Sequence, residues 1–149
     1  GLLPNLQDLI VNHARVTNLP ENISQLNHLT RLCVSDNKII AGLSDSIMML
    51  TNLRMLDASQ LADYFDKISM SPHITRLREL TYLDISNNHF NHCLPNFYEI
   101  LPNLCELNDE HTFTPVDEET QQRLTLAHLA SRQEYLNKFF GRDFSKDYP

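Results

Sequence analysis

Leucine fills 24 of the 149 positions and returns at a nearly constant step. The block Leu6-x-x-Leu9-x-Val11 comes back as Leu29-x-x-Leu32-x-Val34, then as Leu53-x-x-Leu56-x-Ala58 and Leu80-x-x-Leu83-x-Ile85, and a fifth copy opens at Leu104-x-x-Leu107. The first leucines of successive blocks are 23, 24, 27 and 24 residues apart. A second apolar series runs between the blocks: Leu19, Ile23, Leu26; Leu43, Ile47, Leu50; Leu94, Tyr98, Leu101; with Ile74 and Leu77 in the matching places of the third interval. Alternation within each block, as in Leu9-x-Val11, puts the apolar side chains on one face of a short strand. One such turn of chain cannot bury that face alone. Stacked turns bury it as a continuous core, with one parallel strand per repeat.

These blocks resemble the leucine-rich-repeat family, whose core reads LxxLxLxxN within about 20–29 residues. Asn37 and Asn88 match the family's asparagine, whose implied role is to hydrogen-bond the backbone where the chain leaves the strand. Ala14 and Leu61 depart from it. The phrase from Leu19 to Leu26 is similar to the LPxxIxxL convex segment of intracellular-type repeats, and the resemblance extends over residues 3–110. It implies an α/β leucine-rich-repeat solenoid with a parallel sheet on the concave face, short helices or turns on the convex face, and protein binding without catalysis. The Asn-, Ile- and His-rich flavour resembles the repeat effectors of intracellular bacteria such as Legionella, which implies a host protein or another bacterial effector as the partner. An alternative is that the chain is the recognition part of a larger enzyme or ubiquitin-ligase adaptor whose catalytic or F-box region lies elsewhere.

Helix-start signals place the convex turns. Ser44 precedes Ile47 to Leu50 as an N-cap, and Ser71-Pro72 sets a cap and an N1 proline before Ile74 to Leu77. Short helices or turns are predicted near 21–27, 44–51, 72–78 and 96–102. Leu3-Pro4-Asn5-Leu6 copies Leu101-Pro102-Asn103-Leu104, so an earlier repeat is expected to have been trimmed. Asp109 takes the place of the last core aliphatic residue, and the pattern stops there. Thr114-Pro115 and the spacing of Leu126, Leu129, Leu136 and Phe140 predict a helical cap. The expected division is therefore 1–112 repeats and 113–149 cap.

Charge and composition narrow the function. The net charge is -7, without the basic stripe of a nucleic-acid binder, and an anionic membrane surface is disfavoured for the same reason. Ile47 to Leu50 is the longest apolar run, far short of the roughly 20 residues of a membrane span. Cys33, Cys93 and Cys105 are odd in number and lack CxxC spacing, so they read as free thiols of a reducing compartment. The expected location is cytoplasmic, or the host cytosol for a secreted effector.

Catalysis is not expected. Cys33 would need a histidine within reach, and His13 falls three residues further along the neighbouring strand. His89-x-x-His92-Cys93 lacks a clear fourth ligand, so no metal and no cofactor are expected. The candidate site is the concave face, read by alternation. Its first column is Asp8, Arg31, Met55, Tyr82 and Glu106. The second is Ile10, Cys33, Asp57, Asp84 and Asn108, and the third is Asn12, Ser35, Ser59, Ser86 and Glu110. His13, Asp36, Gln60, Asn87 and His111 stand at the strand exits. Asp57 and Asp84 fall on adjacent strands and repel unless a cation or donor joins them. With Met55 and Tyr82 beside them they predict a docking patch for a basic or polar protein surface. Asp8, Arg31, Met55, Asp57, Tyr82, Asp84, Glu106, Asn108 and Glu110 are the partner-binding candidates. The third repeat is three residues longer, within 61–73. One of its aromatic residues, Tyr64 or Phe65, is expected to fill the core and the other to be exposed.

Overall fold

The computed structural model describes residues 3–63, 66–92 and 94–112. Five three-residue strands, β1 (Asp8–Ile10), β2 (Arg31–Cys33), β3 (Met55–Asp57), β4 (Tyr82–Asp84) and β5 (Glu106–Asn108), pair in parallel and in sequence order. The register aligns Leu9, Leu32, Leu56, Leu83 and Leu107 across the sheet. Each step of the repeat therefore adds one strand, as the leucine spacing requires.

The strands are short, and the ladder is lengthened at both ends by recurring hydrogen bonds. At the upstream end one carbonyl accepts two successive N–H groups of the next repeat. Gln7 accepts from Thr30 and Arg31, Thr30 from Arg54 and Met55, Arg54 from Thr81 and Tyr82, and Thr81 from Cys105 and Glu106. At the downstream end Val11, Val34, Ala58 and Ile85 each donate to the following repeat. Beyond them His13, Asp36, Gln60, Asn87 and His111 all adopt positive φ, between 48° and 55°. None of the five is glycine, and three residue types present here, Asn, Asp and His, tolerate this region better than most.

Asn37 sits where the chain leaves β2. Its Oδ1 accepts from the N–H groups of Ala14 and Val16 at 3.1 and 3.0 Å, and its amide donates to the carbonyls of Val11 and Val34, both at 2.8 Å. Asn88 repeats this on the third repeat, accepting from Leu61 N–H and donating to the Ala58 and Ile85 carbonyls. The asparagine role implied by the resemblance is thus present at both matching positions. Leu61, the departure between them, is completely buried.

On the convex side two 3-10 turns, η1 (Glu21–Gln25) and η2 (Pro72–Arg76), alternate with two short helices, α1 (Asp45–Met48) and α2 (Phe97–Ile100). All four fall where the sequence places them. The caps differ in use. The Ser71 hydroxyl accepts from His73 N–H and also bonds the Asp45 carboxylate, tying η2 to α1, whereas the Ser44 side chain makes no capping bond.

Buried aliphatic residues from η1 to β5 form one core between sheet and convex turns. In the longer third repeat Ile68 bridges to Phe90 and Met70 to Leu43, and all four side chains are buried. This links the extended segment to both neighbouring repeats. Gly42, at φ 75°, lies against it: a Cβ there would meet the Ser69 carbonyl oxygen at 2.1 Å. Tyr64, Phe65 and the expected cap at 113–149 lie outside the described residues. At the β1 end, Leu6, Leu9 and Val11 are only partly buried, and Ile10 is 55% exposed.

Candidate functional site

The strand register sets the concave columns. Asp8, Arg31, Met55, Tyr82 and Glu106 align across the sheet, as do Ile10, Cys33, Asp57, Asp84 and Asn108. The structure therefore brings the first-column and second-column candidates onto one surface. Asp8 and Arg31 form an ion pair at 3.4 Å. Met55, Asp57 and Tyr82 are half-buried, Glu106 and Glu110 are exposed, and Asn108 is half-buried.

Asp57 and Asp84 are register partners, and the donors that relieve them belong to the chain itself. Asp84 Oδ1 accepts from the Ser86 N–H at 2.9 Å and the Ser86 hydroxyl at 2.6 Å. Its Oδ2 accepts from the Tyr82 hydroxyl at 3.3 Å and the Asn108 amide at 3.1 Å. Asp57 Oδ1 accepts from the N–H and hydroxyl of Ser59 at 3.1 and 2.8 Å. The third column thus serves the second, through a serine two residues downstream whose short hydroxyl reaches back to the aspartate. The two carboxylates differ in consequence. Asp84 is buried with both oxygens engaged, while Asp57 is half-buried and bonded through Oδ1.

Burial pushes the Tyr82 hydroxyl up to about 12, helped by the negative charge of Asp84 and the hydrogen bond to it. Tyr82 is therefore a neutral donor at physiological pH. Burial also raises the Cys33 thiol, with Asp57 adding to the effect and Arg31 opposing it. A protonated thiol is a poor nucleophile, and His13 bonds Asp36 rather than Cys33. Among the described residues no group of three or more His, Cys, Asp or Glu could hold a metal ion. Cys93 of the His89-x-x-His92-Cys93 cluster lies outside them.

The strand-exit residues His13, Asp36, Gln60, Asn87 and His111 enclose a space that alternation along the strands does not reveal. They line a groove of about 680 Å³ that runs from His13 to His111 past the Lys38–Asp63 ion pair, at 3.7 Å. The available signal is the run His, Asp, Gln, Asn, His one residue before each asparagine position.

In-register parallel strands, one per leucine block, with asparagines bonding between turns, define a leucine-rich-repeat solenoid. Solved structures agree. A leucine-rich-repeat protein of Leptospira interrogans matches 82% of this chain and 36% of its own at 24% identity, with a TM-score of 0.65. An internalin of Listeria monocytogenes matches 88% of this chain and 33% of its own at 19% identity and TM-score 0.65. A plant peptide hormone receptor, RGFR1 in complex with RGF2, matches 89% of this chain and 24% of its own at 20% identity and TM-score 0.55. The chain thus spans about a third of the first two neighbours' length. No family model matches it, and no curated protein does.

Proposed function

We propose that this chain is a protein-binding module that recruits or inhibits a partner through its concave face and carries no chemistry of its own. One observation supports this above the others: Tyr82, Met55 and Asp57 stand together at the middle of a five-strand sheet, held by a continuous ladder. Such a surface offers an aromatic anchor, an adaptable apolar side chain and a carboxylate on a stiff support. Asp57 is the residue that meets a partner's Lys or Arg. Asp84 positions Tyr82 and Asn108 instead. That one structural neighbour is a peptide hormone receptor in complex with RGF2 is consistent with a protein or peptide ligand. In the bacterial-effector form of this proposal, the partner is a host protein or another effector with a basic or polar docking surface, met in the host cytosol.

The test places a photo-crosslinker at Tyr82 and, in a second variant, at exposed Met49 on the convex side. A partner captured from Tyr82 alone is then titrated by calorimetry. Tyr82→Ala is expected to weaken binding by about 1–3 kcal/mol, and Asp57→Lys to weaken it further at low salt than at high salt. Equal capture from Met49, or wild-type affinity in both variants, moves the docking surface off the concave face.

A further inference from the structure

We propose that the upstream ends of the central strands form an anion-binding groove that takes an extended, acidic segment of a protein partner. The groove has a volume of about 620 Å³, and Arg54, Arg76 and Arg78 stand over it with a single carboxylate, Glu79, in its wall. In a chain of net charge -7, this concentrates positive charge in one place. The three ion pairs among the described residues are His13–Asp36, Arg31–Asp8 and Lys38–Asp63, so none uses these arginines. Arg76 has only a weak acceptor, the Met49 sulfur, 3.1 Å from its Nη1. Neighbouring guanidinium groups repel, and an anion between them removes that cost.

The backbone that carries Arg54 and Arg78 is held on both sides. Arg54 donates its N–H to the Thr30 carbonyl at 2.7 Å, and its own carbonyl accepts from Thr81 N–H, Tyr82 N–H and the Thr81 hydroxyl. The Arg78 carbonyl accepts from the Asn103 amide at 2.8 Å. Cationic heads on held backbones lose less freedom on binding than heads on a mobile loop. Guanidinium also pairs with a carboxylate in a two-point fork that lysine cannot make.

The groove's length favours a peptide over a single small anion. Its walls run from Gln7 in the first repeat to Glu79 at the start of the fourth. At about 4.8 Å per strand step, three steps span roughly 14 Å, the length of about four extended residues. Thr51 and Asn52 lie along the same wall and offer neutral hydrogen-bonding groups to a peptide backbone. None of the groove's lining residues is a concave-face candidate and its charge is opposite, so this proposal stands without the concave-face reading.

The experiment is fluorescence anisotropy with a labelled ten-residue peptide of alternating Glu and Ser. Lys-Ser peptide, inorganic phosphate and single-stranded oligonucleotide serve as the other arms. The Glu-Ser peptide is expected to bind more weakly as salt rises, and Arg54→Gln with Arg78→Gln is expected to weaken it by about tenfold or more. The same change of charge at exposed Arg15 and Lys67 is expected to leave affinity within about twofold. Thermal unfolding of each variant checks that it is folded. Absence of binding, equal loss in the two double variants, or tighter binding of the oligonucleotide overturns the proposal. Displacement of the peptide by phosphate at matched charge also overturns it, in favour of a single-anion site.

Discussion

Asn37 shows how much one side chain can organise. Its amide group bonds the backbones of two repeats at once, through Ala14, Val16, Val11 and Val34. Alanine there removes every partner together and leaves N–H and C=O groups without replacements in a part-buried place. Asn37→Ala is expected to lower stability by about 2–4 kcal/mol, read as a shifted urea midpoint with an unchanged slope. Tyr82 gives a different residue-scale prediction. Its folded pKa, about 12, lies above the ordinary value of 10, so the folded state holds the phenol proton more tightly. Its contribution to stability is therefore complete below pH 10 and lost as the pH rises through about 12. In an ultraviolet titration, Tyr82→Phe is expected to remove an ionisation near pH 12.

At the scale of elements, two serines in similar positions do different things. Ser71 caps η2 and bonds Asp45, while the Ser44 hydroxyl makes no cap bond. Ser71→Ala is expected to cost about 1 kcal/mol or more, against a change within about 0.5 kcal/mol for Ser44→Ala, both read from thermal unfolding. The sequence supports both caps equally, because serine before a helical pattern is a local signal. The Ser71 hydroxyl also bonds Asp45 of the neighbouring repeat, and spacing within one repeat carries no such information. The strands were more legible. Their register follows from the leucines, since a one-residue slip would turn every Leu of a block out of the core. The columns of the candidate site follow from that register. What they bond does not: the serine two residues after each aspartate was visible, but its reach back to the carboxylate is a property of how the chain bends out of the strand.

Over the whole molecule, the core is shared between repeats, so damage in one spreads to its neighbours. Leu32 and Leu83 are completely buried on β2 and β4. An ionised carboxylate at either place has no partner, and Leu32→Asp and Leu83→Asp are each expected to unfold the solenoid. Circular dichroism of a variant that stays folded with an unchanged melting temperature would contradict a continuous core. The five turns are not joined alike, however. Asparagine links the first turn to the second and the third to the fourth, while the second and third meet at buried Leu61 and are sewn together by main chain instead. Asn37 N–H donates to the Gln60 carbonyl, Ile39 N–H to the Leu61 carbonyl at 2.7 Å, and Leu43 exchanges bonds with Ser69 and Ser71. The missing asparagine therefore leaves no weak seam. In hydrogen exchange, the amides of Ile39 and Leu43 are expected to be protected as strongly as those of Ala58 and Gln60 across the next joint. Faster exchange at Ile39 and Leu43 would mark a place where the stack parts first.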